Sequence, residues 1–166
     1  THHAPVKKDA GGLSRALAKP EHWWTLLGTA GTWFFFDVAF YGMVIFAPTI
    51  LEDVFGKGES LSDLAWHAAF MSFLGILGTM AGVRAVHHID PKLLNTGGLS
   101  LGALLFAAFL LVYVKLPECS NVLFSLLCLL YFVLYFSANI ATFVLPVVSF
   151  PKDVRSTFHG LSAAAA

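Results

Sequence analysis

Asp37 is the one charge in the run WWTLLGTAGTWFFFDVAFYGMVIF, residues 23–46. A carboxyl in hydrocarbon costs about 3 kcal/mol on insertion scales, so something must compensate it. Trp33 and Tyr41 lie four residues before and after Asp37, and helical periodicity stacks all three on one face in successive turns. An indole N–H, a carboxyl and a phenol so arranged can line a wet cavity and dock a small polar solute, the carboxyl alternating between charged and protonated forms. The competing account of the same residue is an interhelical hydrogen bond that serves packing alone. Asn139, in YFSANIATF with Ser137 and Thr142 close by, is the second polar candidate. Its amide can hold a solute by donating and accepting, or can act only as glue between helices.

The remaining reactive residue types point away from chemistry. His87 and His88 are adjacent in sequence, and adjacent side chains diverge on a helix, so no metal site is expected there. His67 reads as a tolerated residue near a membrane boundary and Trp23–Trp24 as an interfacial aromatic belt. Cys119 and Cys128 make neither a CxxC pair nor a disulfide framework. No HExxH, GxSxG or Gly-rich phosphate loop is present in a suitable context, so the chain is not expected to be an enzyme or to hold a cofactor. Gly75, Gly78 and Gly82 form a small-residue face that lets a neighbouring helix approach closely.

These side chains need membrane-spanning elements to position them. Of 166 residues, 57% are hydrophobic and 12% charged, against about a quarter charged in an ordinary soluble domain. That excludes both a solvated globular enzyme and a disordered chain. Ten Lys and Arg balance ten Asp and Glu, so nucleic acid is not an expected partner. Crossing the bilayer core takes about 20 helical residues. Four stretches are long enough, residues 23–46, 64–86, 93–114 and 122–148, with Pro146 expected to end or bend the fourth. A partial fifth covers 156–166. The runs are continuous, without period-two alternation, so the fold class is all-α and polytopic, with the lipid bilayer as solvent. Residues 1–22 read as a linker ahead of a transmembrane helical domain at 23–166, not as a signal peptide. With the N-terminus cytoplasmic, Lys7, Lys8, Arg15, Lys19, Arg84, Lys92, Lys152 and Arg155 lie inside and only Lys57 and Lys115 outside, as the positive-inside rule requires.

Two strings carry a family resemblance. LLGTAGTWFFFDVAFYG, residues 26–42, resembles the seventh transmembrane helix of the phosphate:proton symporters of the major facilitator superfamily. NIATFVLPVVSFPKDVRSTFHGLSAA, from Asn139 onward, resembles that family's tenth helix, the following turn and the start of the eleventh. The family's Glu between its two prolines is absent from Pro146 to Pro151, and of its second cytoplasmic-turn motif Asp90 remains without the Gly and the Arg cluster.

The resemblance implies part of the C-terminal half of a facilitator fold. Its implied partners are a missing N-terminal half, inorganic phosphate and a proton, with transport by alternating access in a membrane, the plasma membrane by expectation. It further implies that Trp33, Asp37, Tyr41 and Asn139 surround phosphate, that Asp37 couples the proton, and that a helix-eleven Lys and the helix-four and helix-five ligands lie outside residues 1–166. A facilitator for a sugar or organic anion, or a truncated membrane fragment that transports nothing, are the alternative readings.

Overall fold

The computed structural model describes residues 18–56 and 58–165. Its elements are six helices: α1 Pro20–Phe55, α2 Leu61–Ala85, α3 Pro91–Lys115, α4 Ser120–Phe136, α5 Ala138–Ser149 and α6 Arg155–Ala164. No strand occurs among the described residues. Taking α4 and α5 together as one interrupted segment, four are long and apolar enough to cross a membrane.

Local chemistry sets most of the ends. Pro20 occupies the first turn of α1, where a missing N–H costs nothing. Gly56, at φ 101°, closes the other end, its N–H donating to the Glu52 carbonyl in the left-handed region that favours glycine. Ser60 caps α2 by accepting from the Asp63 N–H at 3.2 Å. Asp90 caps α3 by accepting from the N–H groups of Lys92 and Leu93 at 2.8 and 3.3 Å.

Two boundaries differ from expectation. α1 starts at Pro20, inside the expected linker, and continues past Phe46 and through Pro48 to Phe55; residues 1–17 of that linker lie outside the described residues. The far end of α1 is held by burial of Leu51 and Val54 and by the Ser120 hydroxyl donating to the Val54 carbonyl at 2.6 Å, which together offset the hydrogen bond that Pro48 cannot make.

Pro146 does not end its helix, which persists to Ser149. The interruption falls at Ser137, with φ −112° and ψ −78°. The Ser137 hydroxyl donates to the Val133 carbonyl at 2.6 Å, the back-bonding that bends helices. What terminates α5 is Pro151, which forces the preceding Phe150 into an extended conformation.

The segments alternate in direction. His67 stacks on Phe55, and Phe124 packs against both rings at an angle, so α1 ends where α2 and α4 begin. α4 is the hub. Leu123, Leu127, Leu130 and Leu134 recur at helical spacing, each at most 2% exposed. The glycine face of α2 lies against it: a Cβ on Gly78 would stand 2.7 Å from the Phe132 carbonyl oxygen, and one on Gly82 would overlap the Phe136 carbonyl. The backbones approach closely there because those glycines have no side chain.

Candidate functional site

The face carrying Trp33, Asp37 and Tyr41 emerges gradually from the bundle. Each step of four residues rotates about 40° around a helix with 3.6 residues per turn. Trp33 is accordingly 6% exposed, Asp37 half-buried and Tyr41 54% exposed. Trp33 is held by two ring edges, Phe143 of α5 at 4.7 Å between centroids and His159 of α6 at 5.7 Å. Tyr41 meets only the edge of Phe40 among the ring contacts, at 5.4 Å. No hydrogen bond or ion pair from a described residue reaches the Asp37 carboxyl, so it offers its full hydrogen-bonding capacity to something that approaches the open side of α1.

Asn139 is half-buried on the second residue of α5, immediately after the interruption at Ser137. No hydrogen bond or ring contact joins its side chain to Trp33, Asp37 or Tyr41. Its level in the bundle follows from the pairing of Trp33 with Phe143. α5 runs antiparallel to α1, and Asn139 lies four residues before Phe143 just as Asp37 lies four residues after Trp33. Both are displaced about 6 Å from that pair in the same direction, at about 1.5 Å per residue. The amide and the carboxyl therefore share one depth.

His159 and Phe143 complete the surroundings of Trp33 and are not apparent from sequence. On α6, Phe158 and Ser162 are buried and His159 is half-buried beside them. The Ser162 hydroxyl shares a 2.9 Å hydrogen bond with that of Thr29, which fixes α6 against α1. Below this contact Phe150 and Phe158 stack at 4.6 Å with His22 tilted against Phe158 at 5.5 Å, closing the end of the bundle from which α1 starts. His67 lies far from this site, stacked at 4.0 Å on Phe55. No grouping of three His, Cys, Asp or Glu able to hold a metal occurs among the described residues.

Comparison with known proteins gives a consistent set of relatives. The chain is 33% identical over 165 residues to the inorganic phosphate transporter PT2 of Toxoplasma gondii, covering 97% of this chain and 29% of that protein. It is 35% identical over 166 residues to the inorganic phosphate transporter PHO84 of Saccharomyces cerevisiae, covering 96% and 28%. The repressible high-affinity phosphate permease of Neurospora crassa is 30% identical over 167 residues, covering 95% and 29%. The chain thus spans under a third of the length of these curated relatives. No family model matches, and no solved structure matches. The four apolar segments, together with these relatives, make this an integral, multi-pass membrane protein.

Proposed function

We propose that this chain, a homologue of the inorganic phosphate transporters, forms one wall of a site that moves inorganic phosphate together with a proton across the membrane. The observation that carries the reading is Asp37, half-buried in the middle of an apolar α1 and unpartnered among the described residues, in a chain whose relatives are named for phosphate. Intramembrane carboxylates of this kind face a pathway or a relay.

The chemistry suits the solute. Dihydrogen phosphate carries O–H donors that a carboxylate accepts, and a protonated Asp37 donates to the phosphoryl oxygens, so release of phosphate and release of the proton are linked through one group. Trp33, Tyr41 and Asn139 supply neutral donors that orient the anion without a permanent ion pair to slow its departure. The interrupted α4–α5 segment beside Asn139 leaves backbone groups available near the same depth, as broken helices do at transporter sites. In this reading the open side of α1, where Asp37 and Tyr41 emerge, faces the other half of a facilitator fold, and the two halves rock about the site.

The test is uptake of labelled phosphate into vesicles holding the full-length protein, driven by an inward proton gradient. Asp37→Asn is expected to cut gradient-driven uptake at least tenfold with the protein still folded in the membrane. Unchanged uptake, or uptake of a sugar or carboxylate in place of phosphate, overturns the reading.

A further inference from the structure

A cleft of about 450 Å³ opens at the end of the bundle where α1 and α3 begin and α5 ends. Its polar lining is Thr25, Thr29 and Thr32 from α1, Lys92, Asn95 and Thr96 from α3, and Ser149 from α5. The α1 threonines precede Asp37 by five to twelve residues, about 8–18 Å along α1 toward its start, so the cleft lies at a different depth in the bundle. The Oδ1 atom of Asn95 is buried with no hydrogen-bond partner, and the residue is 1% exposed. An unpaired buried acceptor is costly and wants a donor.

We infer that this cleft is a second site, taking a protonated phosphate group. Lys92 is the only ionic side chain in the lining, and no ion pair engages it among the described residues; its ammonium suits phosphoryl oxygens. The threonine hydroxyls donate backward along α1, Thr25 to the Glu21 carbonyl, Thr29 to that of Thr25 and Thr32 to that of Gly28, at 2.9 to 3.0 Å. The oxygens of Thr25 and Thr32 are left as acceptors, like Asn95 Oδ1, that of Thr29 being already engaged by the Ser162 hydroxyl. A ligand that satisfies this wall must accept from the Lys92 ammonium and the hydroxyls of Thr96 and Ser149, and donate to the oxygens of Asn95, Thr25 and Thr32. Phosphate bearing a proton does both, whereas sulfate, unprotonated near neutral pH, has nothing to donate.

The start of α3 contributes little. The exposed Asp90 carboxylate already accepts from the N–H groups of Lys92 and Leu93 and lies close to the Lys92 backbone. Specificity therefore rests on Asn95 and Lys92. Free inorganic phosphate and the phosphomonoester head of an anionic lipid share this chemistry.

The site does not depend on Asp37, and the test keeps the two apart. Full-length protein is purified in detergent and titrated with radiolabelled phosphate, with phosphatidic acid or phosphatidylcholine added in parallel. The expected result is phosphate binding that survives Asp37→Asn and that, measured in that background, weakens at least tenfold on adding either Lys92→Gln or Asn95→Leu and resists competition by equimolar sulfate. Displacement by phosphatidic acid but not phosphatidylcholine identifies the lipid head as an occupant; no displacement by either identifies free phosphate. Lys92 is exposed, so Lys92→Gln tests the site even where Asn95→Leu fails to fold. Binding insensitive to Lys92→Gln, binding lost in Asp37→Asn alone, or displacement by sulfate as effective as by phosphate overturns the inference.

Discussion

Trp33 does two things that can be separated. Its ring fills space between Phe143 and His159, and its indole carries an N–H donor on the turn of α1 before Asp37. Trp33→Phe keeps an aromatic ring edge and removes the donor, so apparent phosphate affinity is expected to fall about tenfold, the worth of one hydrogen bond to an anion, with thermal stability in detergent nearly unchanged. Trp33→Ala empties the space and is expected to cost about 3–5 kcal/mol as well, visible as a lowered melting temperature. His159→Gln belongs to the same experiment. If the imidazole positions Trp33 only by packing, the variant resembles Trp33→Phe in affinity and leaves the pH profile of uptake unchanged; a displaced profile instead gives His159 a share in handling the proton. Sequence periodicity was enough to put Trp33, Asp37 and Tyr41 on one side of a helix, since their relation is local. It could not reveal His159, which reaches Trp33 only because α6 folds back onto α1 through the Thr29–Ser162 contact. The unequal exposure of the three was hidden for a related reason, because it depends on which neighbours cover the helix.

Close backbone approach distinguishes the glycines of α2 and α3 in a way that pairs of neighbours can expose. Gly97 has nothing within 4 Å of where a Cβ would stand, whereas a Cβ on the adjacent Gly98 would overlap the Ser137 side chain. Gly97→Ala is therefore expected to be silent or mildly stabilising, given the propensity of alanine for helices. Gly98→Ala is expected to push α3 away from the interruption between α4 and α5 and to lower the yield of monodisperse protein on size-exclusion chromatography. Gly78→Leu makes the same test on α2, where the obstacle is the Phe132 carbonyl oxygen at 2.7 Å from the added Cβ and cannot rotate aside. The spacing of Gly75, Gly78 and Gly82 announced this contact, because three small residues on one helical face have few other uses in an apolar run. The interruption at Ser137 gave no comparable signal. Pro146 is the stronger helix breaker by type, yet it falls three residues before the end of α5 and the helix continues to Ser149. The decisive group is a serine hydroxyl bonded to a carbonyl one turn back, a habit that serine also shows in straight helices.

Across the whole molecule the burden of packing is uneven. Half of the most apolar window of the α4–α5 segment is buried, against 22% for α1 and 17% each for α2 and α3. One central segment thus organises three peripheral ones whose outer faces are left to lipid or to other protein. That arrangement fixes which turns share a side of the bundle. Gly58 and Glu118 stand in the α1–α2 and α3–α4 connections, His88 and Lys152 in the α2–α3 and α5–α6 connections, and all four are exposed. Arg84, Lys92 and Arg155 cluster with the second pair, which itself includes Lys152, while the first pair lies beside Glu52, Asp53, Glu59 and Asp63. Because basic residues near span ends are retained on the cytoplasmic side, the second pair is expected to face inward. The check is single-cysteine labelling of the full-length protein in intact cells, after Cys119→Ser and Cys128→Ala. Gly58→Cys and Glu118→Cys should react with a membrane-impermeant maleimide, and His88→Cys and Lys152→Cys should react only once the membrane is permeabilised. A wholly reversed pattern would leave the four segments intact and refute the orientation. A pattern that splits either pair would refute the segments themselves, since no odd number of crossings can separate two turns on the same end of this bundle.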